Sequence, residues 1–320
     1  MNLPKVSDLD LPAGKAGVSG KRVIVRLDLN ASPDLNDLRI RSSEETLNYL
    51  KSKNAKITII AHKGRPNGVQ DNNLSLKPFQ KIFDRWGAKV EENLRFDPRE
   101  EENDPKFAEE LSKLGDFYVN EAFGASHREH ASIVGIPRFL PHAAGFRFIE
   151  EVENLSKVLE NPQKPVVVII SGIKEDKVEM AKELAQKFDR ILVGGKLPVY
   201  FGNSNPNPEK MIIGNLSGDG EDITLDTIEK FKEEISKAGT IVLAGVPGKY
   251  EDPGHKQGTK EVFEAVANSK IFKVAGGGDT EAAISMLNLT DKFDWISVGG
   301  GAMLEFLAKR TLPGIKALLE

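Results

Sequence analysis

The chain contains no cysteine, only five histidines, and no apolar run long enough to cross a membrane. Without cysteine there are no disulfides, no thiolate nucleophile and no cysteine-ligated zinc. The histidines form no H-E-x-x-H pair, so the usual zinc-hydrolase pattern is missing. The start, Met1-Asn2-Leu3-Pro4, lacks a basic segment followed by an apolar one. With no span approaching the ~18 apolar residues a membrane helix needs, a cytoplasmic protein with no membrane partner is expected. Charge of one sign is lacking too. Lys and Arg total 44 against 48 Asp and Glu, a net −4. That balance offers no general basic field for nucleic acid, and any anion must be recognised by local clusters of cations.

What is present is glycine in a telling place. The strand-like run 271–275 ends in Gly276-Gly277-Gly278-Asp279-Thr280 and continues as a helix. A second run, 295–298, ends in Gly299-Gly300-Gly301 and does the same. Glycine inside regular structure costs roughly 0.5–1 kcal/mol relative to Ala, a cost that makes sense where backbone must lie close to a ligand. A helix start directs unpaired N–H groups and partial positive charge outward, which suits phosphate. Asp279 is placed where a carboxylate can hold Mg²⁺ between phosphates; the plainer alternative makes Asp279 an N-cap and the glycines a tight turn.

At 320 residues and 39% apolar content, two domains with real cores are feasible. Strands are expected at 22–29, 56–61, 117–120, 166–171, 190–193, 211–213, 240–244, 271–275 and 295–298. Several are apolar at consecutive positions, as in Val166-Val167-Val168-Ile169-Ile170, the mark of strands buried on both faces. Helical patterns fall between them, including 225–237 and a segment opened by Asp104-Pro105 and closed by Gly115. This alternation predicts an α/β fold with parallel sheets wrapped by helices. The alternation pauses at 146–164, where 148–159 reads as one amphipathic helix ended by Asn161-Pro162. A domain boundary is expected there, with that helix as connector. Residues 203–209 read as a loop.

Polar residues gather where the strands of the first half end, the place where open α/β sheets bind ligands. Asp28 and Asn30 follow the first strand, His62 and Arg65 the second, and Arg95 and Arg128 lie at two further ends, with Arg39 opening the next helix. Each arginine alone reads as a solvated surface cation. Together they suit convergence on phosphate and carboxylate oxygens.

These residues resemble phosphoglycerate kinase. Arg26-Leu27-Asp28-Leu29-Asn30, His62-Lys63-Gly64-Arg65-Pro66, Glu92-Asn93-Leu94-Arg95-Phe96, Ala122-Phe123-Gly124, His127-Arg128-Glu129-His130-Ala131-Ser132, both triglycines and Leu312-Pro313-Gly314 match that family's motifs in order, from about Lys21 to Leu319. The resemblance implies two Rossmann-like doubly wound domains joined by a hinge helix and closing about it. Residues 1–147 would bind 3-phosphoglycerate, 148–164 would connect, 165–304 would bind Mg-nucleotide, and 305–320 would pack back on the first domain. It implies that Asp28, Asn30, Arg39, His62, Arg65, Arg95 and Arg128 hold 3-phosphoglycerate or 1,3-bisphosphoglycerate. Lys174 and Lys177 would flank the phosphates of ATP or ADP, Gly194 and Gly195 border the adenine, and Glu251 reach the ribose. Gly277, Gly278 and Thr280 would meet phosphate and Asp279 organise Mg²⁺. Arg39, Lys177, Gly299 and Gly300 would serve the transfer itself. A monomer is expected.

The chain departs from the family pattern in places. It is short between Trp86 and Asn93 and between Phe201 and Met211, so both sheets are expected to be trimmed. The family's G-G-A-K-V-x-D-K is one residue shorter here, Ser171-Gly172-Ile173-Lys174-Glu175-Asp176-Lys177, and Ala244 replaces the Asn of N-G-P-x-G. Gly194-Gly195 is followed by Lys196-Leu197, where the family has Gly-Met. Two functions follow: a compact kinase of glycolysis, or an impaired relative that binds triose phosphates as a sensor or partner protein. A dinucleotide oxidoreductase fits poorly, because the glycine runs are not G-x-G-x-x-G.

Overall fold

The computed structural model describes residues 2–9 and 17–320; Met1 and 10–16, within the expected first domain, lie outside them. The chain forms two compact units, Met1–Glu153 with Thr311–Glu320, and Asn154–Arg310.

The first unit carries β1 (Arg22–Arg26), β2 (Lys56–Ile60), β3 (Lys89–Val90), β4 (Phe117–Asn120) and β5 (His142–Ala144), with α1 (Leu38–Arg41), α2 (Glu44–Ser52), α3 (Gln80–Phe83) and α4 (Pro105–Ser112). Helix α5 (Phe146–Glu160) starts in this unit and ends in the other. The sheet order is β3-β2-β1-β4-β5, all parallel, with Val25 opposite Ile59 on one side and Val119 on the other. Val23, Val25, Ile57, Ile59 and Val119 pack with Ile40 of α1, Leu47 and Leu50 of α2, and Phe79, Phe83 and Trp86 around α3.

The second unit carries β6 (Val166–Gly172), β7 (Arg190–Gly195), β8 (Met211–Ile213), β9 (Thr240–Ala244), β10 (Phe272–Gly276) and β11 (Trp295–Ser297). Its helices are α6 (Asp176–Lys187), α7 (Leu197–Phe201), α8 (Leu225–Lys237), α9 (Gln257–Asn268), α10 (Gly278–Met286) and α11 (Gly300–Lys309). The order β11-β10-β9-β6-β7-β8 is again fully parallel. Val167, Ile169, Ile241 and Leu243 pack against Ile228 and Phe231 of α8 and Val262 and Phe263 of α9, while α6 and α11 lie against each other. In both sheets the strand order reverses beside the first strand, between β1 and β4 and between β6 and β9. That reversal is the switch point at which doubly wound sheets hold ligands.

The units divide differently from the expected boundaries. The break falls between Glu153 and Asn154, inside α5, because that helix is continuous. Residues 305–310 stay with the second unit, because they complete α11. The chain then adds α12 (Pro313–Ala317) to the first unit, where Ala317 meets Ile133 and Val134 and the Gly314 N–H donates to the Ser126 carbonyl at 2.9 Å. Leu312, Ile315 and Leu318 are buried. At about 1.5–3 kcal/mol each they hold a five-residue helix that would not persist alone.

The N-terminus of α5 is fixed by a buried acid. Glu121, just past β4, accepts the Thr46 hydroxyl at 2.6 Å and the backbone N–H groups of Arg147 and Phe148 at 3.3 and 3.1 Å. The Phe146 N–H in turn donates to Thr46 at 2.9 Å. A Cβ on Gly145 would strike the carboxylate at 2.1 Å, which makes glycine obligatory there.

Candidate functional site

In the first unit the loop after β1 sets the geometry. Asp28 accepts the Asn30 N–H at 3.0 Å, a local turn from which the Asn30 side-chain Oδ1 accepts the Gly64 N–H at 2.9 Å. Arg95, in the single helical turn Leu94–Phe96, donates from Nη1 to the Gly64 carbonyl at 2.6 Å. Gly64 is thereby gripped from both sides in a positive-φ conformation (φ 63°), and the loop bearing His62 and Arg65 is held against both neighbours. Arg39, whose N–H is capped by Asp37, brings its Nε to 3.3 Å from Asp28 Oδ2.

The remaining cations crowd together. Burial, then Arg128, brings the Arg95 guanidinium down to about 10. Burial, then Arg65, lowers Arg128, which also feels Asp28. His62 is pushed well below the usual imidazole range by burial and by Arg26, Arg95 and Arg128. Like charges this close are uncomfortable without an anion. Arg95 Nε and Nη2 and Arg39 Nε are buried and donate no hydrogen bond, although Glu101 lies 3.2 Å from Arg95 Nε as counter-ion. The arrangement therefore brings Asp28, Asn30, Arg39, His62, Arg65, Arg95 and Arg128 into one electropositive cluster at the β1/β4 switch point, with unspent donors.

Sequence reasoning missed the support beneath it. Arg26 is wholly buried, donating from Nε to Ser132 Oγ at 2.8 Å and lying 4.0 Å from Glu100. His130 is also largely buried; burial, then Arg95, brings it down to about 3. Arg26 and His130 stood within matched motifs, but a strand arginine between apolar residues gives no sign of which face it takes.

In the second unit a cavity of about 450 Å³ lies at the β6/β9 switch point. Lys177, Gly195, Glu251 and Asp279 line it, together with Gly172, Ile173 and 245–250. Lys196 and Glu221, paired at 2.7 Å, and Tyr250 also line it and were not anticipated. Lys177 donates to the Ser171 carbonyl at 2.7 Å, and its ammonium is lowered by burial against the pull of Asp279. Lys174 is exposed in the turn before α6, and Gly194 lies one residue short of the cavity wall. The backbone forms much of that wall. A Cβ on Gly195 (φ 62°) would lie 2.6 Å from Gly172 N, and one on Gly245 (φ 92°) 1.9 Å from the Ser171 carbonyl oxygen.

The two triglycines are in direct contact. A Cβ on Gly300 would stand 2.7 Å from Gly277 Cα. Gly277 and Gly299 cap α10 and α11, and neither cap has a side-chain hydrogen bond. Asp279 lies inside the first turn of α10, so it is not the N-cap of the plainer alternative. Thr280 is buried and its hydroxyl accepts the Gly245 N–H at 2.7 Å, tying α10 to the loop after β9. Gly278 and Gly299 lie at these same helix starts, outside the cavity lining.

Among the described residues no three His, Asp or Glu side chains are grouped to hold a metal unaided. A single exposed carboxylate on a helix start beside a cavity suits a cation that keeps waters and takes its other ligands from phosphate oxygens, as Mg²⁺ does. Asp279 fits that donor set.

Fold and clusters together define a class: a two-domain, doubly wound α/β protein with one polar cluster at each switch point. The phosphoglycerate kinase model matches residues 14–91, 88–215 and 203–310. A phosphoglycerate kinase of Dictyoglomus turgidum is 36% identical over 95% of this chain and 96% of its own length, and one of Finegoldia magna 35% identical over the whole of both. Solved phosphoglycerate kinase structures from Coxiella burnetii and Pyrococcus horikoshii OT3 superpose with TM-scores of 0.79 and 0.80. Their identities are 29% and 26%, covering 99% and 94% of this chain and 99% and 96% of theirs. The chain belongs to the phosphoglycerate kinase family. The Dictyoglomus alignment runs over 382 positions against 320 residues here, so that relative contains segments this chain lacks. The breaks between matched blocks fall near 88–91 and 203–215, beside the two-residue β3 and ahead of β8, both edge strands.

Proposed function

We propose that the chain catalyses the reversible transfer of a phosphoryl group between 1,3-bisphosphoglycerate and ADP, giving 3-phosphoglycerate and ATP. The observation that carries this reading is the cationic cluster at the β1/β4 switch point, in which the buried Arg95 Nε and Nη2 and Arg39 Nε form no hydrogen bond. A small ligand bearing both phosphate and carboxylate would satisfy them. Asp28, Asn30, Arg39, His62, Arg65, Arg95 and Arg128 would hold it, and the nucleotide would occupy the 450 Å³ cavity of the second unit. Glu251 and Gly195 lie at that cavity's wall to meet ribose and base, while Lys177, Lys174 and the starts of α10 and α11 face phosphate. Domains 1–147 and 165–304 would thus each take one substrate.

The acceptor in the direction of ATP use is a carboxylate, ionised at pH 7 by about three units of pKa. No general base is needed, which agrees with a His62 that stays neutral and a His130 that does not titrate near 7. The demand is charge cancellation and alignment. Arg39 and Lys177 are the cations for that task. The helix start at Gly299 and Gly300 adds about 0.3–2 kcal/mol per helix end, so the cations dominate. Mg²⁺, held by Asp279, would supply further neutralisation of nucleotide phosphate when bound.

No observation favours an impaired sensor, and nothing in the cluster is missing that charge cancellation requires. An assay of 3-phosphoglycerate with MgATP, coupled to consumption of the acyl phosphate product, tests the reading. Turnover is expected. Binding of 3-phosphoglycerate without turnover would overturn it in favour of the sensor.

A further inference from the structure

His62 stands in the cationic cluster, and its ring Nδ1 meets one buried partner, Arg26. We propose that Arg26 is a positioning residue that fixes the tautomer of His62, so that the ring presents Nε2–H as a directional donor to the anionic ligand. The ligand's identity rests on the function proposed above; the tautomer does not.

Arg26 Nη2 lies 2.9 Å from His62 Nδ1. A guanidinium has five N–H donors and no acceptor. The contact therefore requires a bare Nδ1, and a neutral ring must carry its proton on Nε2. A proton on Nδ1 would set two donors against each other. No hydrogen bond to Nε2 is formed among the described residues, which leaves that donor unspent.

Arg26 has no freedom to turn away. Its Nε donates to Ser132 Oγ at 2.8 Å and its Nη1 to the Leu27 carbonyl at 2.5 Å. Glu100 is 4.0 Å from Nη2 and receives the Ser132 hydroxyl and N–H at 2.5 and 2.9 Å. Arg26 and Glu100 are both fully buried, so breaking either contact leaves a desolvated charge unpaired, a costly state.

The groups around the ring agree. Arg26 faces it from β1, Arg95 from the turn after β3, and Arg128 and His130 from the loop after β4. Protonating His62 would add a fourth positive charge beside three guanidiniums. The arginines thus supply the charge, and His62 supplies direction without a pH-dependent charge of its own.

The test uses long-range ¹H–¹⁵N spectra of the intact chain, with the five histidines assigned by single substitution. His62 is expected to show a protonated Nε2 and a bare Nδ1, with no titration between about pH 6 and 8. Arg26→Met should mix the tautomers and weaken 3-phosphoglycerate binding by roughly tenfold or more. Arg26→Lys, which keeps a charged donor, should restore both. A wild-type His62 protonated on Nδ1, or titrating within that range, overturns the proposal, as does an Arg26→Met variant with an unchanged tautomer. Should Arg26→Met not fold, the wild-type and Arg26→Lys spectra decide alone. The expected spectrum with no shift of His62 on adding 3-phosphoglycerate would uphold the tautomer assignment and overturn the ligand reading.

Discussion

Arg39 holds its guanidinium beside Asp28 while its Nε, buried, makes no hydrogen bond. Removing Arg39 takes one counter-ion from Asp28, but Arg128 also feels that acid and stays beside it. Arg39→Ala should therefore lower kcat by more than about tenfold, the scale of losing one donor to developing charge, while 3-phosphoglycerate still binds. Steady-state rates set beside equilibrium titration check this, and an unchanged kcat removes Arg39 from the transfer step. Asp279, exposed in the first turn of α10, calls for the opposite pattern. Asp279→Ala should weaken Mg-nucleotide binding and spare 3-phosphoglycerate; calorimetry showing both weakened together contradicts a divided site. Arg65, Arg95 and Arg128 were legible because each follows a strand. Arg26 was not, since its role depends on Glu100 and Ser132, 74 and 106 positions away.

Two elements depend on contacts with no local signature. Burial pushes Glu121, at the start of α5, up to about 7 against the hydrogen bonds that favour its charged form. An acid raised above its unfolded value near 4.3 binds more protons folded than unfolded between the two values. Its contribution to stability is complete below about 4.3 and is lost as pH rises through about 7. Glu121→Gln cannot titrate, so the gap in Tm between wild type and variant should move against the wild type as pH rises from about 5 to 8. A gap that stays constant contradicts this. At the other helix starts, Gly300→Ala would force a Cβ to 2.7 Å from Gly277 Cα. A loss of about 1–3 kcal/mol with weakened nucleotide binding is expected in denaturant titration, and an unperturbed variant would mean that the two turns can part freely. The longer strands were visible as apolar runs. β3 and β5, two and three residues long, lack the apolar run that marks the equally short β8, Met211-Ile212-Ile213, and they form because β2 and β4 offer them an edge.

At the scale of the whole molecule, the same strand order is built twice and each copy places its polar cluster beside its first strand. The alternation of strands and helices was readable from sequence. The division inside α5 was not, because a continuous amphipathic helix has no internal break to read. The matched blocks of the family model meet at 88–91 and 203–215, where the chain has its edge strands β3 and β8. The central claim is that each unit holds one substrate and that arginines, not a base, carry the first. Its most direct measurement is a crystal structure with 3-phosphoglycerate and an ADP complex bound together. The account predicts 3-phosphoglycerate oxygens on Arg39, Arg65, Arg95, Arg128 and His62 Nε2, with nucleotide between Gly195 and Glu251. Finding 3-phosphoglycerate away from those arginines, or both ligands within one unit, would contradict it.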